Sequence, residues 1–148
     1  MRAWTIAGLL TLSVLPEPAR ANSDTILHRF AGADGYGPRA NLTEGKDGNL
    51  YGTSFTGGTG GGSCHPYCGG QGTVFELSPD SGGAFTVFTL LHSFTGNQPP
   101  LFTGDGSAPL AGLMQASDGN LYGTTYFGGN EGMYESGLGT VFTIGLAP

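Results

Sequence analysis

A glycine-rich stretch in the first half of the chain holds both cysteines, as Cys64-His65-Pro66-Tyr67-Cys68. In an exported protein, two cysteines this close favour a disulfide, which would fix the tip of a loop. The loop-closure estimate for so short a loop is about 2 kcal/mol. Two thiolates and His65 would instead supply three zinc ligands, but the sequence offers no fourth ligand nearby. Free thiols are the third interpretation, and the disulfide is our prediction.

A second variable stretch carries different chemical groups, because Glu131, Tyr134 and Glu135 occupy the place that corresponds to the cysteine loop. A third variable stretch contributes an amide and a carboxylate. Since the stretches differ, a ligand would meet different groups in each. We predict that any ligand is bound by polar and aromatic side chains from these three stretches: His65, Tyr67, Gln98, Asp105, Glu131, Tyr134 and Glu135.

Signatures of catalysis are missing from the sequence, which has no Gly-x-Ser-x-Gly, His-Glu-x-x-His or Walker pattern. His28 and His92 occupy equivalent places in two similar segments, and no spacing identifies a nucleophile or carboxylate partner for them. We therefore interpret both as structural histidines, hydrogen-bonded between sheets. We predict no catalytic residue. A hydrolase or lyase that uses Glu131 and Glu135 is retained as an alternative.

The sequence segments that must position these residues occur twice along the chain. The seven residues at 47–53, Asp-Gly-Asn-Leu-Tyr-Gly-Thr, recur without change at 118–124. Leu-His-x-Phe, Asp-Gly, Gly-Gly and Gly-Thr-Val-Phe blocks recur around them in the same order. An identity this long indicates a chain built by repetition. We place repeat one at about 25–77, a linker at 78–84 and repeat two at about 85–144, all in one domain.

Each repeated block reads as a short strand bounded by turn residues. In repeat two, strand a covers 113–116, strand b 121–126 and strand c 140–144, whereas strand d is the long apolar run at 85–94. Asp-Gly at the a-to-b connection predicts a two-residue hairpin turn with positive φ at both residues. The expected fold is all-β, with two four-stranded antiparallel β-propeller-like blades in the order d-a-b-c-d-a-b-c.

The first strand d, at residues 26–30, has no sheet of its own in this scheme. We expect it to pair with the last sheet and thereby hide two open edges. Two blades do not close a ring, since propellers have about four to eight. The ring therefore stays incomplete unless copies assemble, and a trimer or tetramer is our expectation. A fragment of a longer repeat array is the alternative.

The loops of such a meander alternate between its two ends, and length varies only in the b-to-c and d-to-a loops. Both kinds leave from the same end, which is how repeat proteins usually present a binding surface. Tyr51 and Tyr122 lie on strand b and are interpreted as core residues. The Asp-Gly carboxylates are turn formers first. Calcium is a second interpretation of them, because oxygen-rich loops suit that ion; no other cofactor is expected.

The N-terminus has the features of a secretory signal. Arg2 precedes an apolar run at residues 5–15, and Ala19-Arg20-Ala21 is a small-x-small cleavage site, so we expect a signal peptide at 1–21. The remaining chain has three cations and ten carboxylates, which disfavours nucleic acid and anionic lipid as partners. It has no second apolar segment long enough to span a membrane. We therefore expect a secreted, extracytoplasmic protein.

The repeated motifs also carry a family resemblance. Asp-Gly-Asn-Leu-Tyr-Gly-Thr-Thr, followed by Gly-Gly and Gly-Thr-Val-Phe-x-Ile, resembles the GloVer tandem repeat, or "choice-of-anchor tandem repeat", of secreted bacterial proteins. The match covers nearly all of residues 25–144. It implies an extracytoplasmic repeat protein with propeller-like blades. Two copies are fewer than the family usually has.

The function expected from these observations is that of an extracellular binding module. It would contact a glycan or a protein through the variable b-to-c and d-to-a loops. A structural role in a longer surface array is the first alternative, and a carbohydrate-active hydrolase or lyase is the second.

Overall fold

The computed structural model describes residues 24–60, 70–96, 104–129 and 138–146, and these ranges form two antiparallel sheets with no helix. The first sheet has four strands in chain order: β1 (Thr43–Glu44), β2 (Leu50–Ser54), β3 (Thr73–Ser78) and β4 (Val87–Ser93). The second has three: β5 (Met114–Gln115), β6 (Leu121–Thr125) and β7 (Thr140–Ile144). Within the described ranges, no strand pairing joins the sheets. The predicted all-β meander is confirmed.

The expectation of two four-stranded sheets is wrong for the described residues, because 26–30 form no strand. The equivalent residues of repeat two belong to β4, which pairs with β3 of the preceding sheet. Repeat one has no preceding sheet in the described chain. Its Phe30 ring instead packs on Phe75 and Phe88, with centroid distances of 5.2 and 5.9 Å. The predicted pairing with the last sheet does not form either.

Both sheets place a glycine opposite a phenylalanine at the same point of the register. Gly52 faces Phe75, and Gly123 faces Phe142. A Cβ atom on Gly52 would lie 2.5 Å from Phe75 Cζ, and one on Gly123 would lie 2.4 Å from Phe142 Cζ. The aromatic ring therefore lies across the glycine, and the second glycine of the repeated seven-residue motif is required by packing.

The hairpin turn between strands a and b differs from the prediction. Gly45 N–H donates to Asn49 O (2.8 Å), and Gly48 N–H donates to Gly45 O (3.0 Å). Only Gly48 has positive φ (81°). The loop therefore has three residues, a right-handed turn followed by a left-handed glycine. Asp47 does not have a positive φ, and its carboxylate accepts the Asn49 N–H (3.1 Å). Repeat two builds the same loop.

The core lies between the two sheets. Tyr51 and Val74 from one face of the first sheet pack with Leu121 of the second sheet and with Leu113 and Phe94 beside it. Three hydrogen bonds accompany this packing and place β1 beside β5: Thr43 Oγ1 to Leu113 O (2.5 Å), Thr53 Oγ1 to Ala111 O (3.4 Å) and Lys46 N to Gln115 Oε1 (2.7 Å). The sheets thus stack face to face, in the same order as the repeats.

Candidate functional site

The variable loops leave from one end of the two sheets, as the meander predicts. Gly58 N–H donates to Gly32 O (2.8 Å), which joins the base of the first b-to-c loop to the first d-to-a loop. Thr59 N–H donates to Ser93 Oγ (2.8 Å), and Ala108 N–H donates to Gln71 O (2.8 Å). We call residues 31–37, 55–60, 70–72, 94–96, 104–109 and 126–129 the loop end.

Of the predicted ligand-binding residues, Asp105 lies in the described part of the chain. Its carboxylate accepts hydrogen bonds from Thr95 N–H (2.8 Å) and the Thr95 hydroxyl (2.9 Å). It also contacts His92 Nε2 at 2.6 Å. Burial opposes ionisation of Asp105, but the bonds from Thr95 and His92 outweigh it and lower the pKa of the carboxyl. Asp105 is thus committed to holding its own loop.

The other predicted site residues lie outside the described ranges, and so does the predicted signal peptide at 1–21. The disulfide also stays a prediction, because both of its cysteines fall there. The residues concerned are Cys64, His65, Tyr67, Cys68, Gln98, Glu131, Tyr134 and Glu135.

A histidine–aspartate pair occurs at the same place in both repeats. His28 Nε2 lies 2.7 Å from Asp34 Oδ2, which matches the pair of His92 and Asp105. Asp34 Oδ1 also accepts the Ala31 N–H (2.7 Å). Burial works against the charge of Asp34, but the bonds from Ala31 and His28 prevail and lower its pKa. Each carboxylate therefore closes the turn that follows its histidine.

The interpretation of His28 and His92 from the sequence is right about hydrogen bonding and wrong about the partner. Each bonds a carboxylate within the same d-to-a segment, six and thirteen residues along the chain, rather than a group across the sheets. The signal was the Asp-Gly that follows each Leu-His-x-Phe block. The unequal spacing concealed it, because an insertion separates the second pair.

A chain of hydroxyl groups connects each of these turns to its sheet. Thr73 Oγ1 donates to Asp34 O (3.1 Å) and lies 2.8 Å from Ser54 Oγ. In repeat two, Thr140 Oγ1 donates to Asp105 O (3.2 Å) and lies 2.7 Å from Thr125 Oγ1. An aspartate that orients a histidine is also half of a general-base arrangement. Here the hydroxyls bind the aspartate main chain rather than the imidazole, so the arrangement positions the loops.

The opposite end of each sheet holds an aspartate–tyrosine contact. Tyr51 OH donates to Asp47 Oδ2 (2.6 Å), and Tyr122 OH donates to Asp118 Oδ2 (2.7 Å). Burial, followed by the bond to Asp47, raises the pKa of Tyr51 to about 12. Tyr51 is 1% exposed, which confirms its core assignment, whereas Tyr122 is half-buried. In the described residues, no three His, Cys, Asp or Glu side chains are grouped to hold a metal ion.

The repeated sequence that forms both sheets also matches a known protein family. A family model described as the Gloeobacter/Verrucomicrobia repeat matches residues 17–148. The chain belongs to this family. The resemblance seen in the repeated motifs is thereby confirmed. Comparison with curated proteins and with solved structures gave no match. Among the described residues of this Gloeobacter/Verrucomicrobia repeat protein, no helix is long and apolar enough to cross a membrane.

Exposed aromatic side chains at the loop end of this repeat protein were not among the predicted site residues. Tyr126 is 61% exposed, and its ring meets the Phe127 ring edge-on at a centroid distance of 4.6 Å. The equivalent of Tyr126 in repeat one is Phe55, and the Arg39 guanidinium lies 4.1 Å above its ring. The sequence predicts Tyr126 at the end of strand b, but β6 ends at Thr125. It therefore lies at the start of the second b-to-c loop.

Proposed function

We propose that this repeat protein is a secreted, propeller-type binding module whose loop end recognises an extracellular glycan. One observation supports the proposal above the others. Loops of unequal length and composition leave from one end of two sheets that are otherwise built alike. Repeat proteins vary in this way where they bind and keep the rest of each unit constant.

The exposed aromatic pair supports a sugar ligand. Tyr126 and Phe127 offer flat apolar surface beside main-chain polar groups, and aromatic residues are enriched where proteins bind ligands. The described acids of the loop end, Asp34 and Asp105, are occupied by their histidines and by backbone N–H groups. A neutral or weakly charged ligand therefore suits this surface better than a cationic one.

The propeller assignment within this proposal is supported by the stacking of the sheets. In a propeller, successive four-stranded sheets stand side by side around an axis, with their first strands innermost. The short strands β1 and β5 are the first of their sheets, and Thr43 Oγ1 bonds Leu113 O next to β5. Each sheet also follows its predecessor in chain order.

A glycan array probed with the purified chain tests this function, and titration calorimetry then measures the best binder. We expect Tyr126→Ala to weaken binding about tenfold or more, since a central aromatic contact is typically worth over 1 kcal/mol. Val87→Ala is the matched control, because Val87 is exposed on β4 and lies outside the loop end. A blank array, or binding that is indifferent to Tyr126, would count against a glycan. Capture of a protein from culture medium would point to the protein alternative.

A further inference from the structure

Each sheet has one face in the interface between the sheets and one face outside it. The two outer faces are equivalent, by the alignment of the repeats, to the two faces that meet in the interface. In that interface, Tyr51, Thr53 and Val74 of the first sheet form what we call the front face, and all three are at most 2% exposed. They pack over the back face of the second sheet, to which β7 contributes Phe142 and Ile144 and which Leu91, Phe94 and Leu113 adjoin. The interface is therefore a front-to-back contact.

The back face of the first sheet is an open apolar groove of about 320 Å³. Its lining includes Leu27, Phe30, Leu42, Phe75 and Leu77. Leu27 and Leu42 are exposed, whereas Phe75 and Leu77 are already buried. By the alignment of the repeats, the five lining residues are the equivalents of Leu91, Phe94, Leu113, Phe142 and Ile144 at the back face of the second sheet. The groove of the first sheet therefore corresponds to the surface of the second sheet that Tyr51 and Val74 cover. In the described residues, no front face packs on the groove.

The front face of the second sheet carries the matching residues. Tyr122, Thr124 and Val141 are the equivalents of Tyr51, Thr53 and Val74. Val141 is 79% exposed and Thr124 is exposed, whereas their equivalents are buried. Met114, the neighbour of Tyr122 in the register, is 61% exposed. An exposed valine and methionine on one sheet face form the apolar patch that a partner would cover.

We propose that the front face of the second sheet docks into the back groove of a second copy of this chain, and so repeats the internal interface between molecules. The occupant is a second copy because one chain carries both halves of a contact that it already makes once. If the contact between molecules copies the internal one, the Thr124 hydroxyl of one copy binds Ala40 O of the other. The equivalent bond within the chain joins Thr53 Oγ1 to Ala111 O (3.4 Å). Such a head-to-tail contact continues until it closes a ring or forms a filament.

Sedimentation velocity and light scattering of the full chain over a range of concentrations test this proposal. The wild-type chain is expected to form species larger than the monomer. Val141→Glu on the front face and Leu42→Glu in the groove should each weaken association by roughly tenfold or more, because each buries a carboxylate without a partner. Val87→Glu is the matched control on β4, outside both faces, and should assemble like the wild type. All three residues are exposed at their positions, and far-UV circular dichroism checks that the variants fold.

A mixing experiment separates this contact from a symmetric one. Val141→Glu retains an intact groove, and Leu42→Glu retains an intact front face, so a mixture of the two forms one wild-type junction. A head-to-tail contact therefore predicts a one-to-one dimer that grows no further. A symmetric contact through one face would leave one variant assembling alone and would overturn the proposal. A wild-type chain that stays monomeric would also overturn it, and so would a Val141→Glu chain that assembles normally. A groove covered by another segment of the same chain would give that monomeric result.

Discussion

The two sheets have nearly the same sequence, but residues at equivalent positions differ in exposure. Val74 is fully buried, and its equivalent Val141 is 79% exposed. On the other face Leu121 is fully buried and its equivalent Leu50 is half-buried. Phe75 is buried and its equivalent Phe142 is half-buried, because β4 flanks β3 and no such strand flanks β7 in the described residues. The seven residues that the repeats share thus have different surroundings in each. In a repeat protein, burial is decided by which neighbour a unit has on each side.

The largest difference is expected for the two phenylalanines of the Leu-His-x-Phe motif. Phe94 is 1% exposed between the sheets, so Phe94→Ala should lower the free energy of unfolding by about 4 kcal/mol. Phe30 is half-buried at the groove, and Phe30→Ala should cost about half as much. Urea denaturation of dilute protein measures both. Equal losses of unfolding free energy would mean that the groove around Phe30 is covered to the same extent as the interface around Phe94.

The two valines form a second test of the same comparison. Val74→Ala removes buried methyl groups and should cost about 2 kcal/mol. Val141→Ala should change stability by less than about 0.5 kcal/mol in the dissociated chain, because the side chain is exposed. The comparison fails if urea denaturation at low concentration gives the two substitutions the same cost. A loss of stability in Val141→Ala that appears only at high protein concentration would strengthen the comparison, since assembly would then bury this residue.

The two tyrosines should differ in how their contribution depends on pH. Tyr51→Phe removes a buried bond to a carboxylate and should cost about 1.5 kcal/mol at neutral pH. Its folded pKa of about 12 lies above the ordinary 10, so the phenol stabilises the fold below pH 10 and loses this effect as pH rises towards 12.

Unfolding free energies between pH 8 and 12 check this expectation. The advantage of the wild type over Tyr51→Phe should shrink across the upper part of that range. Tyr122→Phe serves as the control at the equivalent position and should cost less at neutral pH, because Tyr122 is half-buried. A constant gap between wild type and Tyr51→Phe at all pH values would contradict the explanation.

The smallest expected effect concerns a backbone position at the loop end. Ala108 has a φ of 56°, and its equivalent Gly37 has a φ of 65° with no atom within 4 Å of a built Cβ. A left-handed residue with a side chain costs about 1 kcal/mol. Ala108→Gly should therefore raise the melting temperature, and Gly37→Ala should lower it. Changes of the same sign in the two variants would show that packing rather than backbone strain governs this position.

Much of the fold could be predicted from the sequence, because turn chemistry and repetition are local signals. The strands after residue 42, their antiparallel order and the common end for the variable loops all followed from Gly, Asp and apolar blocks. The missing first strand could not be foreseen in this way. Residues 26–30 have the composition of a strand, but pairing needs a neighbouring sheet, and that depends on tertiary arrangement.

The site was less predictable, for a different physical reason. The pairing of His92 with Asp105 spans an insertion, so spacing within the sequence hides a contact that the fold restores. The exposure of Tyr126 is not visible in the sequence either, because the sequence predicts this residue within strand b. The core prediction for Tyr51 is correct, because the second sheet packs against its side of the first sheet.

The segment that ends at Phe94 serves two sheets at once, as the edge strand β4 of the first and as a cover for the second. The unit of sequence duplication and the unit of folding are therefore offset by one strand. A copy of the repeat that begins at the Leu-His-x-Phe motif would add the last strand to the sheet before it. The phenylalanine of the same motif would pack on the sheet of the new copy. Growth by tandem duplication could then proceed without redesigning any boundary. A cut placed just before that motif would damage the units on both sides of it.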